Sequence, residues 1–203
     1  SQLTERQALA ALDMLKAISV TFAFLVSFCD RAYGECEPQV IPKELETFSV
    51  ERVLLDGYWV AFKDTNPRQC WAVAIPIKSS VAPKGAEKDL CRGSTSLAVH
   101  FFPERSTFGE IVFKSGYEFS EEFPVKFEMD KKIILEHMLT DGQYAWTHTR
   151  KQDGKVRAQM LKAREIVIQG TAKNGALVED IFNLEGFEAT YEAAYRDCTD
   201  LYS

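Results

Sequence analysis

Histidine is scarce in this chain: His100, His137 and His148 are all it has in 203 residues, which narrows both acid–base and metal chemistry. Other motifs are missing as well. There is no HExxH pair, no GxxxxGKS or GxxxxGKT loop to cradle phosphates, and no GxGxxG after a strand, so zinc-hydrolase and nucleotide chemistry have no support. No two of the five cysteines lie within the two to four residues that let neighbouring thiolates close on one zinc ion. Basic charge is in deficit, with a formal net charge of −6 and Lys and Arg scattered along the chain, which argues against nucleic acid as a partner. Long apolar runs are also lacking. The most hydrophobic block, Ala17 to Cys29, falls short of the roughly 20 residues that span a bilayer core. No metal and no cofactor is expected.

What is present reads as one folded domain with a processed segment in front of it. Hydrophobic residues make up 46% and charged residues 27%, a globular balance with enough chain for a substantial core. Met14-Leu15-Lys16 supplies a short basic start, Ala17 to Cys29 an apolar stretch, and Ala32-Tyr33-Gly34 a small-x-small cleavage site, the three parts of a secretory signal. Residues 1–34 are thus read as a signal peptide or N-terminal helix, and residues 35–203 as a single mature domain. Two other readings of the same stretch are a retained helix over Thr4 to Arg31, with Thr4 as its cap, and a lipid anchor at Cys29. The bulky Phe28 beside Cys29 opposes the anchor.

Cysteine parity points the same way. Cleavage after Gly34 removes Cys29 and leaves Cys36, Cys70, Cys91 and Cys198, an even set that reads as two bridges in an exported chain, with three possible connectivities. Localisation is therefore expected to be periplasmic or secreted, with no membrane span once the segment is cut.

From Thr47 onward, short alternating β-branched and aromatic runs are bounded by turn residues, the pattern of a mainly β, antiparallel sandwich. Nine strands are expected: Phe48 to Leu54, Tyr58 to Lys63, Gln69 to Ile75, Ser96 to Phe102, Gly109 to Lys114, Pro124 to Met129, Lys132 to Met138, Glu165 to Ala172 and Ala176 to Leu184. Asn174-Gly175 supplies two positive-φ positions for a hairpin turn, and Asp130-Lys131 turns another that sets Val125, Phe127 and Met129 on a core face. Helical spacing predicts two short covering helices, Asp153 to Ala163 and Phe187 to Cys198 at the C-terminus. Lys78 to Cys91 reads as an exposed loop.

Candidates for chemistry are few. His100 and His137 fall in strand patterns, and His148 in a loop where nothing marks a Ser or Cys as its nucleophile. Glu121-Glu122 and Glu179-Asp180 are adjacent pairs whose members point to opposite faces of a strand and read as solvated. Trp59 and Trp71 read as core. Tyr144-Ala145-Trp146, beside the Asp141-Gly142 turn, divides evenly between core packing and a binding surface, so Tyr144, Trp146 and His148 form the candidate surface.

Tyr58-Trp59-Val60-Ala61-Phe62, Pro67 to Pro76 with its CWAVAIP core, and Arg92-Gly93 resemble the opening of the invasion-associated locus B family of alphaproteobacterial exported proteins. Gly116-Tyr117-Glu118-Phe119, Ala145-Trp146, Gly170-Thr171, Gly175, Asp180 to Ala189 and the terminal Cys198 follow in the family's order, so the likeness covers Leu55 to Cys198. It implies a periplasmic or surface-associated β-sandwich without enzymatic activity, and it brings no catalytic residues. Members of this type carry one cysteine in the CWAV strand and one near the C-terminus, so the resemblance implies a Cys70–Cys198 bridge and leaves Cys36 for Cys91. The chain departs from some members at Lys63, where they place a cysteine.

These readings lead to a non-enzymatic exported protein that binds another protein or an envelope component. The alternatives are an integral subunit of a membrane complex that keeps its N-terminal helix, and an envelope hydrolase using His148 or His100 as base.

Overall fold

Period-two alternation of large apolar and polar side chains builds two antiparallel sheets that face each other, as the sequence pattern predicts. Residues 50–83, 86 and 90–199 are described in a computed structural model of the chain.

The larger sheet contains β1 (Glu51–Asp56), β2 (Trp59–Thr65), β3 (Arg68–Ala74), β5 (Ser96–Phe102), β6 (Thr107–Lys114), β9 (Leu139–Asp141) and β10 (Tyr144–Trp146), in the order β1-β2-β3-β5-β6-β10-β9. The smaller sheet contains β4 (Lys78–Ala82), β7 (Lys126–Met129), β8 (Lys132–Glu136), β11 (Glu165–Thr171) and β12 (Leu177–Asn183), in the order β4-β12-β11-β7-β8. Two helices, α1 (Arg150–Met160) and α2 (Phe187–Thr199), complete the described residues together with a 3-10 turn at Pro103–Arg105.

One core fills the space between the sheets. Trp59, Phe101, Phe113, Phe127 and Phe182 meet there, and Val156 and Met160 of α1 and Phe187, Ala194 and Cys198 of α2 close it. The Trp59 indole donates to Asn183 O at 2.9 Å and its ring tilts against Phe187 at 4.8 Å, so the one polar atom of a fully buried ring is satisfied. Cys70 of β3 and Cys198 of α2 are disulfide-bonded across 128 residues, the pairing that the resemblance implies. Cys91 is disulfide-bonded as well, while its expected partner Cys36 lies outside the described residues, as does the signal-peptide reading of residues 1–34.

Several local expectations are corrected. The Lys78 to Cys91 loop begins with a strand: β4 pairs with β12 from Lys78↔Ile181 to Ala82↔Leu177. Its sequence, KSSVA, is that of a mostly exposed edge, where polar residues guard against further pairing and hide the alternation. Asn174 does not take a positive φ. Gly175 alone does, at 85°, closing a three-residue loop in which Gly175 N donates to Ala172 O and the Asn174 side chain accepts from Ala176 N. At Asp130-Lys131 both residues are at positive φ, and Val125, Phe127 and Met129 are buried as expected. His137 lies between β8 and β9 at a φ of 62°, not within a strand.

Helix α1 starts three residues earlier than expected. Thr149 caps it by accepting from Gln152 N, while Gln152 Oε1 accepts from His148 N at 2.8 Å. The Thr-x-x-Gln spacing is the signal. Asp153, inside the first turn, is buried and accepts from Ile111 N and from the Thr147 hydroxyl, both at 2.8 Å, which pins α1 to β6.

The pair Glu179-Asp180 divides between two environments. Glu179 accepts from Gln169 on the surface side, but Asp180 is completely buried rather than solvated. Both of its oxygens accept from the Arg92 guanidinium, at 2.7 and 2.6 Å, and Ser79 Oγ adds a third donor at 2.6 Å. Arg92 also donates to Ser115 O at 3.1 Å and lies over the Tyr117 ring, so the pair ties the smaller sheet to the loop behind β6. Gly170 is required under Tyr117, because a Cβ there would lie 2.6 Å from the phenolic oxygen and 2.7 Å from the Phe119 ring. Gly170→Ala is expected to cost about 1–3 kcal/mol through overpacking, read as a lowered urea midpoint with an unchanged m-value.

Candidate interaction face

Strand pairing carries one row of side chains across the whole larger sheet. Leu55 pairs with Val60, Val60 with Val73, Val73 with Ala98, Ala98 with Val112, Val112 with Trp146, and Trp146 with Leu139. Every member is apolar. The intervening residues Ala61, Ala72, Ala74, Leu97, Val99, Ile111, Phe113 and Ala145 belong to the core, so this row points away from it. An antiparallel sheet with one face in water carries polar residues on that face. This one does not.

A second row reinforces the first. Phe62 pairs with Trp71, Trp71 with His100, and His100 with Glu110. The Phe62, Trp71 and His100 rings stack in succession, with centroids 5.7 and 6.2 Å apart. Trp71 is therefore buried, as expected of it, but in a cluster separate from the main core, with Val73, Ala98, Val50 and Phe62.

Exposure changes along the face. Trp71 is 2% exposed, Val112 3% and Trp146 7%, whereas Leu55, Tyr58 and Ile75 at the β1 end are 57%, 49% and 54% exposed. The pairings Leu55↔Val60 and Trp59↔Ala74 bring these last three to one corner beside the β1 edge, and Ile77, also half-exposed, follows two residues on. Sequence reading missed this corner because Leu55, Tyr58 and Ile75 sit in three separate segments and each completes an ordinary strand pattern.

Of the three residues read as a candidate surface, Tyr144 and Trp146 lie on this face and His148 is exposed beyond it. Tyr144 is half-buried beneath the Lys114 ammonium, 6.0 Å from the ring centroid, and burial pushes its phenol up to about 12. Lys114, itself buried, donates to Ser94 Oγ at 3.0 Å. The His148 Nε2 atom meets the His137 carbonyl at 2.5 Å. Among the described residues neither the His100 nor the His148 ring hydrogen-bonds a Ser, Asp or Glu, and no three His, Cys, Asp or Glu side chains converge as a metal site. No helix among them is long and apolar enough to cross a membrane.

His100 and Glu110, register partners on this face, titrate in opposite directions. Burial drives the His100 imidazole down to about 4 and the Glu110 carboxyl up to about 7, with the Asp153 carboxylate adding to the second shift. The unfolded chain protonates His100 near 6.5, so that residue makes stability rise with pH between about 4 and 6.5. Unfolded Glu110 has already lost its proton above 4.5, whereas folded Glu110 keeps it to about 7, so that residue makes stability fall over this range. The two contributions oppose each other between pH 4.5 and 6.5, so relative to the wild type Glu110→Gln should tilt the urea midpoint toward a rise with pH over this range and His100→Gln should tilt it toward a fall. Identical pH slopes in both variants would contradict these environments.

The residues that carry the family resemblance play mostly structural parts: Cys70 and Cys198 bond each other, Arg92 holds Asp180, and Gly170 admits Tyr117. Scans against family models, curated proteins and solved structures returned no match to this chain.

Proposed function

We propose that this is a non-catalytic exported protein of the invasion-associated locus B type, which binds another protein or an envelope component through the outer face of its seven-stranded sheet. The observation that carries the reading is the exposed corner of Leu55, Tyr58 and Ile75, which continues an apolar row across the sheet. Exposed apolar patches of this kind favour association, and the neighbouring β1 edge offers backbone groups to a partner. Two oxidised cysteine sites, at Cys70–Cys198 and Cys91, support folding outside the reducing cytoplasm.

The test is a pull-down from envelope extract with the wild type and with Leu55→Glu/Ile75→Glu, whose side chains already face water, so that the variant keeps its fold. A specific protein or envelope component retained by the wild type and lost by the variant is the expected result. Equal retention by both would overturn the proposal that this corner binds.

A second reading, a subunit of a membrane complex that keeps its N-terminal helix, draws on the same apolar face. N-terminal sequencing of the native protein separates the two. A start at Glu35 supports the exported reading, and an intact Ser1 or Met14 supports the retained helix.

A further inference from the structure

Helices α1 and α2 both cover the core face of the larger sheet, α1 against β6 and α2 against β3 and β5. Between them two polar side chains converge over bare backbone. Gly109 of β6 has a φ of 83°, and a Cβ there would lie 2.6 Å from Arg157 Nη1 and 3.7 Å from Tyr191 Oη. The Arg157 guanidinium of α1 also lies over the Tyr191 ring of α2, 5.3 Å from its centroid. We propose that this junction is a carboxylate-binding site, separate from the Leu55 corner, which takes an acidic side chain within a peptide segment of a partner and seats its neighbours on Phe108 and Tyr195.

Three observations support it. The donors are free: among the described residues no hydrogen bond or ion pair engages the Arg157 guanidinium or the Tyr191 hydroxyl. Both side chains are half-buried, and their polar atoms reach water. Burial pushes the Tyr191 phenol up, which keeps it a donor at neutral pH. A planar guanidinium with a hydroxyl beside it matches the two oxygens of one carboxylate. Second, the fold supplies no anion of its own. The carboxylate one turn before Arg157 is Asp153, which is buried and already accepts from Ile111 N and the Thr147 hydroxyl. Arg150, two turns before Arg157, donates to Ser106 O just ahead of β6 and adds positive charge on the same side.

The third observation is the apolar surround. Phe101 touches Tyr191 and Tyr195, with ring centroids 5.4 and 5.9 Å away, and its register partner Phe108 shares its sheet face. Phe108 and Tyr195 are 42% and 44% exposed, so two large rings stand open beside the donors. Such rings call for apolar groups flanking the carboxylate, which an acidic residue within a peptide has and a small organic acid lacks. The site is also remote from the corner. Phe101 lies toward the end of β5 away from Ser96 and faces the core, whereas Ile75 follows Ala74, which pairs with Leu97 beside Ser96. Occupation of one site leaves the other open.

Amide-resolved NMR titration of the purified oxidised protein tests this, with acetyl-Phe-Asp-Phe-amide and its Asn counterpart, acetyl-Phe-Asn-Phe-amide, as probes. The Gly109 amide should shift saturably with the Asp peptide, and the Asn peptide should bind about tenfold more weakly, the loss of one charge-assisted contact. Arg157→Met, which keeps an unbranched side chain against Tyr191, should weaken the Asp peptide by about tenfold or more, and Tyr191→Phe by severalfold. No saturable shift at Gly109, equal affinity for the two peptides, or an unchanged affinity in Arg157→Met overturns the site. Phenylacetate bound as tightly as the Asp peptide overturns the peptide assignment. Should Arg157→Met fail to fold, the two peptides on the wild type and the Tyr191→Phe variant decide. These readouts involve neither Leu55 nor Ile75, so failure here leaves the pull-down result at the corner standing, and the reverse also holds.

Discussion

Replacing Cys70 and Cys198 together with alanine is expected to lower stability by about 5 kcal/mol, the chain-entropy value for a loop of this size. The bridge joins β3 to α2 over 128 residues, and no shorter covalent link holds α2 against the sheet. Both sulfurs are buried in the main core, so the substitution also leaves a small cavity, which adds to the loss. Urea titration of the oxidised double variant beside the wild type measures the effect without touching the bridge at Cys91, as a general reductant would. Coincident midpoints would contradict the view that this disulfide sets the stability of the sandwich.

The second large effect is expected at the buried ion pair. Asp180→Asn removes the carboxylate charge that holds the Arg92 guanidinium and should cost about 3–5 kcal/mol, as breaking one side of a buried pair does. Arg92→Leu should cost a similar amount by leaving the Asp180 carboxylate, whose side chain is 1% exposed, with Ser79 as its remaining side-chain donor. The combined Arg92→Leu/Asp180→Leu variant should recover much of the loss, since two apolar residues replace two charges. A double variant as unstable as the sum of the singles would show that the two residues act independently.

Much of the fold was legible because its code is local. Ser96 to Phe102 alternates cleanly between the core and the outer face and forms the strand with the expected bounds, and the C-terminal helix differs by one residue from the expected span. The elements that escaped were short or at an edge. β9 and β10 have three residues each, too few for a period to show, and β4 is polar because it guards an edge. Asp180 looked like a surface carboxylate because its partner, Arg92, lies 88 residues away, a distance that no window reading crosses.

The candidate face was hidden for a related reason. The longer strands of the larger sheet, β1, β2, β3, β5 and β6, carry apolar residues on both sides, which reads locally as a strong strand without saying which side meets the core. The row from Leu55 to Leu139 emerges only when seven strands are placed in register. Tyr144 and Trp146 were legible as aromatic residues beside a turn, but their neighbours Lys114 and Val112 come from a strand some thirty residues earlier.

The most direct test of the proposed interface is site-specific photo-crosslinking in intact cells, with a benzophenone side chain placed at Leu55, at Ile75 or, as a control, at the exposed Ile133 of β8 on the smaller sheet. The account predicts the same adduct from Leu55 and Ile75 and none from Ile133. An adduct from Ile133 with both corner positions silent would contradict it.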